Sequence, residues 1–417
     1  MARPRILCIA HEVTLTGSPM NLLHFQRWMA EHTDAEIHTL ALAPGALENP
    51  FREVGTFELI DGNPAEALLG TLQSGLQALG SRNAWKPVAA ARLRPQLRSY
   101  RGFDLVYCNS LPSVSVLPYL PPARAVVAHA HELEVAWRTW RNDRDRETFA
   151  TVPDRWLAAS GAVRSMLVDE IGLPAERVRL HHEFIDARSV AARSISLREI
   201  EQRRRELKIP SNAAIVLGSG TVDWRKGPDL FVQLACEVRR REREPVAFVW
   251  VGGDLRSPDF ERVRADVQRA GADHVQFVGV KPDPVPWFAL ADVFALTSRE
   301  DPYPLVALEC AAMGTPIVTY RNGGIPELLE AAGPEAATGV VDHLDVGAMA
   351  DRIIALLDSQ RFADRAGAQL RSQVLAEHDV TVAAPRLWAD LVEVMEAAPP
   401  TGRHEGPRAP IRVESAG

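Results

Sequence analysis

The sequence predicts an α/β protein built from two doubly wound, mostly parallel sheets. Three observations predict it. Short, continuous apolar runs recur along the chain and alternate with longer helical patterns, as buried parallel strands with crossover helices do. The runs fall into two series separated by a polar, arginine-rich stretch. The chain is 417 residues long, above the size of roughly 250–300 residues at which single cores divide.

The first series places strands at Ile6–Ala10, Ile37–Leu42, Leu105–Cys108, Ala125–Ala130 and Trp156–Ala159. The second places them at Ala214–Leu217, Ala247–Val251, Val275–Val278, Val293–Leu296 and Pro316–Thr319. Between them, from about Arg188 to Pro210, the chain is basic and poor in strand signals. The expected organisation is a first domain over 1–190, a linker over 191–211 and a second domain over 212–378. A last helical segment over 379–396 and a Pro- and Gly-rich tail over 397–417 follow; the tail has a disordered composition. The linker arginines read as a solvated helical face.

Composition is that of a globular chain, 46% hydrophobic and 24% charged. A net charge of −7 argues against a nucleic-acid partner. Four scattered cysteines without a CxxC pair argue against a zinc or disulfide framework and fit a reducing cytoplasm. No apolar run is long enough to span a bilayer. The N-terminal MARPRILCIAHE lacks the apolar core and small-residue cleavage site of a signal peptide, so Ile6–Ala10 reads as the first buried strand.

Ligands of such sheets bind beyond the carboxyl ends of strands. The loop of TSREDPYPLVALECAAMGTPIV, from Thr297 to Val318, therefore stands out. It leads from a strand into a helix that opens near Pro304, with Glu300, Asp301 and Glu309 around the start. Free amides and the positive dipole end there suit a phosphate. Carboxylates repel phosphate but accept hydrogen bonds from sugar hydroxyls. Together they describe a nucleotide-sugar pocket. As a bland alternative, Glu309 is an ordinary first-turn acid.

Upstream, IVLGSGTVDWRKGPDLFVQLA ends a strand in a glycine-rich turn followed by Arg225 and Lys226. A planar guanidinium and a point charge there suit a diphosphate. Two cations at a helix start are unfavourable unless an anion is present. In the first domain, HEVTLTGSPMNLLHFQ follows strand one. Ser18 reads as an N-cap, Pro19 as the first helical residue, and Gly17 as a point of close backbone approach. GxGxxG is absent, which weakens a nicotinamide reading. His129 and His131 share one side of a strand end. No convincing third ligand accompanies them, so metal binding is the weaker reading and His129 reads as structural. His11 and Glu12 follow strand one and could meet an acceptor.

These motifs resemble the retaining glycosyltransferases of the GT-B fold, especially glycosyltransferase family 4. The likeness runs from about Arg5 to Met395. The family pattern of two Glu separated by seven residues, then a Gly-Pro and a strand, falls on Asp301, Glu309 and Gly314-Thr315-Pro316. Asp301 in place of Glu is a departure that shortens the reach, and Glu300 could share that role. The family's usual Arg, five residues before the Lys, is Thr221 here; Arg225 is inferred to supply the guanidinium.

The resemblance implies two Rossmann-like domains facing across a cleft, with the last helix returning toward the first. It implies transfer from a UDP- or GDP-type nucleotide sugar to an acceptor hydroxyl, with retention, no metal and no other cofactor. Arg225 and Lys226 would neutralise the leaving phosphates, and Glu309 would hold the ribose. Glu300, Asp301 and the loop through Tyr303, Pro304 and Leu305 would position the sugar. Val278 and the turn after it would meet the base. His131 would line the reaction centre, and Gly17 and Ser18 would lie over donor phosphates and acceptor.

Two alternatives are a GT-B nucleotide-sugar epimerase and a catalytically silent sugar-nucleotide-binding protein, which Asp301 alone favours. A phosphorylase lacks a recognisable pyridoxal lysine. The basic, Trp-bearing stretches Ala84–Gly102 and Ala136–Phe149 suit weak contact with an anionic membrane or acceptor; as solvated helices with inward Trp anchors they need no partner. Asp143 and Asp145 form a DxD amid arginines and are not read as a metal site. HHEFID, His181 to Asp186, is given no role.

Overall fold

The computed structural model describes residues 3–60, 93, 95–140, 143–241 and 245–399. The tail from 400 onward, residues 84–92 and 94 of the first basic stretch and residues 141–142 of the second lie outside the described residues. The chain divides into two compact units. The first takes the chain up to Ala159, Val163–His181 and the segment from Ala384; the second takes Ser160–Ala162 and His182–Ala383.

The first unit carries a seven-stranded sheet of order β3-β2-β1-β4-β5-β6-β7. Its strands are β1 (Arg5–Ala10), β2 (Glu36–Ala41), β3 (Thr56–Leu59), β4 (Leu105–Cys108), β5 (Ala125–Ala130), β6 (Arg155–Ala158) and β7 (Val178–Leu180). Every ladder is parallel. Ile6 pairs with Ile37 on one side and with Leu105 on the other, so the strand order reverses between β1 and β4.

The second unit carries a six-stranded parallel sheet of order β10-β9-β8-β11-β12-β13. These are β8 (Ala214–Ser219), β9 (Val246–Val251), β10 (Val275–Gly279), β11 (Val293–Leu296), β12 (Ile317–Tyr320) and β13 (Val340–Val341). Its order reverses between β8 and β11. Helix Pro228–Arg241 packs on this sheet through Phe231, whose ring meets Phe248 at 5.3 Å and Trp250 at 5.2 Å, both edge-on. Such aromatic pairs add about 0.5–1.5 kcal/mol each beyond the area they bury. They fix the start of that helix, and with it the loop that precedes it.

Every predicted strand is present. Three further strands, β3, β7 and β13, escape the sequence reading, and all three are sheet edges. Their sequences are TFEL, VRL and VV, with one buried residue in each. A half-solvated edge strand carries no continuous apolar run, which was the signal being read.

The division between the units differs from the sequence expectation. Residues 182–190, expected in the first domain, and the whole of 191–211 group with the second unit. The expected linker contains helix Leu197–Glu206, closed by a capping box in which Ser196 and Glu199 bond each other's backbone N–H. None of that helix is buried, in keeping with a solvated arginine face. Helix Val380–Ala397 changes unit at Ala384; beyond it, Glu393 pairs with Arg155 at 2.8 Å and Met395 O accepts from Arg124 at 3.1 Å.

In the second basic stretch Trp137 packs on Phe149 at 5.7 Å, while Arg138 pairs with Glu134 and Arg146 with Asp143. Those contacts are ones that solvated helices with an inward Trp would make. Among the described residues, no helix is long and apolar enough to cross a membrane.

Candidate active site

The carboxyl ends of β8 and β11 meet where the second sheet's strand order reverses, the place where open α/β sheets bind ligands. The loop after β8 brings Arg225 and Lys226; the loop after β11 brings Ser298, Arg299, Glu300 and Asp301. Lys226 Nζ donates to Asp301 Oδ2 at 2.5 Å, and Ser298 Oγ donates to the same oxygen at 3.1 Å. The Lys226 and Asp301 side chains are only 15% and 7% exposed, so this is a largely desolvated pair. Arg225 is half-buried, and among the described residues no hydrogen bond or ion pair holds its guanidinium.

Arg299 ties the two loops together. Its backbone N–H donates to Arg225 O at 2.7 Å. Its guanidinium forks onto Asp229 at 2.9 and 2.6 Å and also donates to Trp224 O at 3.0 Å. Asn322 Nδ2 in turn donates to Arg299 O. Two glycines allow this close approach. Gly227 has φ 65°, and a Cβ there would lie 2.2 Å from Thr297 O. Gly323 has φ 67°, and a Cβ there would lie 1.8 Å from Asp301 O. Any other residue at either point would push the loops apart.

Helix Leu305–Ala312 starts as predicted, with Pro304 at its N-cap and Leu305 as its first residue. Glu309 lies on that helix, half-buried, and among the described residues no hydrogen bond engages its carboxyl group. Burial, helped by the nearby Asp283 carboxylate, pushes its pKa up to about 7. Glu300 is buried beside Asp301. The Tyr303 side chain is buried, with the hydroxyl at 3.2 Å from His378 Nε2 and the rings stacked. Only its backbone is left to face a ligand. Val278 is half-buried near the end of β10, and Val280 just beyond is 61% exposed.

The first unit shows a second cluster at its own reversal point. Asn109, just after β4, donates from Nδ2 to Ser18 O and Ser18 Oγ, each at 2.9 Å. Ser18 Oγ donates to Asn109 O at 2.9 Å. Asn109 Oδ1 faces His131 Nε2 at 3.1 Å. The His129 and His131 rings lie 4.1 Å apart, as strand spacing predicts. His129 is buried, takes a 2.6 Å bond between Nδ1 and Tyr107 OH, and is held neutral by burial, which pushes its pKa well down. His11 bonds Ser110 Oγ through Nδ1 at 2.8 Å. The hydrogen bond from His11, helped by Thr14 and Thr16, holds the Glu12 carboxyl down to about 2.

One local prediction fails here. Helix Gly17–His32 begins at Gly17 with Thr16 as N-cap, so Ser18 and Pro19 lie inside the first turn. Ser18 is not free to cap, because its hydroxyl bonds Asn109. Gly17 is exposed on that turn.

Sequence reasoning missed Ser298, Arg299, Asn322 and Gly323 in the second unit and Asn109 in the first. Asn109-Ser110 directly follows β4 and Asn322-Gly323-Gly324 comes one residue after β12, and that position was the available signal. Two cavities of the second unit, about 790 and 730 Å³, are lined by none of the residues expected to touch donor or acceptor, although Gly314-Thr315-Pro316 lines the second. The site is therefore identified by its polar geometry and its place in the sheet.

Comparison with known proteins identifies the family and the fold. The family profile of glycosyl transferases group 1 matches residues 199–373, and that of glycosyltransferase family 4 matches residues 36–189. A D-inositol 3-phosphate glycosyltransferase of Corynebacterium efficiens is 32% identical over 176 residues. That match covers 41% of each chain, so this chain spans less than half the length of that relative. The GDP-mannose-dependent alpha-(1-6)-phosphatidylinositol monomannoside mannosyltransferase of Mycobacterium tuberculosis is 30% identical over 302 residues, covering 67% of this chain and 72% of that one. Among solved structures, Anabaena HepE, in complex with UDP and glucose, superposes with a TM-score of 0.74 at 17% identity, over 93% of this chain and 99% of that one. WaaG, a glycosyltransferase involved in lipopolysaccharide biosynthesis, gives 0.67 at 14% identity, over 93% and 99%. These two establish the shared fold. Two doubly wound units, the signature on Asp301 and Glu309, and relatives of this extent place the chain in the group 1, family 4 type of GT-B glycosyltransferases.

Proposed function

We propose that this protein transfers a sugar, with retention, from a nucleoside diphosphate sugar to an acceptor hydroxyl. One observation carries the reading: Lys226, Asp301 and the Arg225-bearing loop converge at the β8/β11 reversal point, next to a helix start and the half-buried Glu309. Cations serve the departing diphosphate, and carboxylates serve sugar hydroxyls. In the transfer, the bond from the anomeric carbon to the diphosphate oxygen breaks. The acceptor oxygen bonds that carbon on the same face, and the acceptor proton passes to the departing phosphate oxygen. Negative charge accumulates on the diphosphate as the bond breaks, so Arg225 and Lys226 act most strongly in the transition state. They take the role a divalent metal would fill, and turnover is expected to survive a chelator.

Asp301, assisted by Glu300 and the backbone through Leu305, is assigned to the donor sugar. Glu309 is assigned to the ribose and the turn at Val278 to the base. In the first unit, Gly17, Ser18 and His131 are assigned to the acceptor side. Two named relatives act on inositol-based acceptors, which supports a polyol headgroup as the acceptor class. The assigned chemistry needs only the cytoplasmic pools of nucleotide sugars.

Thermal shift with UDP, GDP and ADP tests the donor site in the wild type, Arg225→Ala and Glu309→Ala. A nucleotide at one hundred times its Kd stabilises by about 2.7 kcal/mol. A shift with one nucleotide, weakened in both variants, supports the assignment; no shift with any of them in folded protein sinks it. Release of that nucleotide from its sugar then separates a transferase from a silent binder.

A further inference from the structure

We propose that Asn109 is a positioning residue that fixes His131 with its proton on Nε2. The argument rests on which atoms can only accept. Ser18 O is a carbonyl oxygen and cannot donate, so the Asn109 amide atom 2.9 Å from it must be the NH₂ group. Ser18 Oγ gives its own proton to Asn109 O, so it too accepts from Asn109 Nδ2 at 2.9 Å. Both amide protons of Asn109 are thereby spent on Ser18, and its Oδ1 is the atom left facing His131. At 3.1 Å from that oxygen, His131 Nε2 bonds only as a donor. A neutral His131 then carries its acceptor lone pair on Nδ1.

The three residues come from three elements: Ser18 from the first turn of helix Gly17–His32, Asn109 from the end of β4, and His131 from the end of β5. Asn109 is 1% exposed, so water cannot replace either partner. Its neighbours reinforce the arrangement. Glu132 Oε2 accepts from the His131 backbone N–H at 3.0 Å, and Glu132 Oε1 accepts from Leu111 N at 3.1 Å. The loops after β4 and β5 are thus joined a second time. A histidine at a reaction centre must present one chosen nitrogen, and a second-layer hydrogen bond is the usual device that chooses it.

That His131 meets the reacting sugar rests on the proposed function; its tautomer does not. Long-range proton–nitrogen NMR of protein labelled at histidine nitrogen reads the tautomer directly, with His131 assigned by its loss in His131→Gln. Above neutral pH the wild type should show the proton on Nε2. Asn109→Ala should lose that preference. Asn109→Asp keeps an acceptor opposite Nε2 and should retain it. In transfer assays Asn109→Ala should lower kcat about 10-fold or more, with the nucleotide-sugar KM changed less than about 2-fold. A wild-type proton on Nδ1 alone overturns the proposal, even if Asn109→Ala fails to fold. So does a folded Asn109→Ala with a wild-type tautomer. Absence of any transfer, with the tautomer pattern as expected, would overturn the proposed function and leave this inference standing.

Discussion

The two units place loop clusters at equivalent points of equivalent sheets, yet hold them together by different means. In the second unit the cluster is ionic: Lys226 on Asp301, Arg299 forked onto Asp229, and backbones pressed together through Gly227 and Gly323. In the first unit the central link is a hydrogen-bond chain from Ser18 through Asn109 to His131, with no carboxylate in it. The difference follows from what each would bind. A diphosphate is a fixed charge and calls for cations whose own repulsion must be balanced in its absence. A hydroxyl acceptor calls for directional donors and acceptors, and those are set by hydrogen-bond order.

The comparison breaks most visibly at Lys226. Its partner Asp301 is nearly buried, so Lys226→Ala leaves an uncompensated charge and should cost about 3 kcal/mol of stability. Adding Asp301→Asn to Lys226→Ala removes that charge and should restore most of the loss. Transfer should stay down by about 10²–10³-fold in both, because the cation on the leaving diphosphate is still missing. Chemical denaturation and initial rates on the same three proteins separate the two effects. Parallel recovery of activity and stability would mean that Lys226 is structural only.

The matching lesion in the hydrogen-bonded cluster is Ser18→Ala. It removes the donor to Asn109 O and one acceptor of Asn109 Nδ2, both largely shielded from water. The expected cost is about 2 kcal/mol, and high salt should change it little. Chemical denaturation of Ser18→Ala checks this cost; a loss larger than that of Lys226→Ala would reverse the contrast drawn between the two clusters.

The same contrast explains what the sequence disclosed. Buried parallel strands are continuous apolar runs, so all nine central strands and the edge strand β10 were legible, while TFEL, VRL and VV at the other three edges were not. Arg225 and Lys226 announced themselves because cations beside a helix start are costly without an anion, and Asp301 and Glu309 because they fall on the family pattern. Asn109 did not, since a single amide after a strand is ordinary until its three partners are seen. Arg299 gave no signal, because Asp229 is 70 residues away in the chain. Ser18 was assigned to the wrong helical position because its hydroxyl serves a distant residue, Asn109, rather than the local backbone. Pairings that depend on long-range contacts leave no local pattern.

Glu309 gives the smallest expected effect and the sharpest one. Its pKa is raised from the ordinary 4.5 to about 7, so between those values the folded protein keeps a proton that the unfolded chain releases. Stability without ligand must then fall as pH rises through that window. Part of the penalty is relieved because the side chain is only half-buried, leaving about 1 kcal/mol above neutral pH. Glu309→Gln carries no charge and should therefore raise the melting temperature of the ligand-free protein by about 2–4 °C there, with no difference at pH values below the window. Ribose hydroxyls donate hydrogen bonds and favour the carboxylate, so wild-type nucleotide affinity should climb through the window in which stability drops. Glu309→Gln should lose that climb together with most of the nucleotide-induced thermal shift. Melting curves with and without nucleotide across this range test both slopes. A Glu309→Gln protein that is less stable above neutral pH, or that binds nucleotide with the wild-type pH dependence, would return Glu309 to the role of an ordinary helix acid.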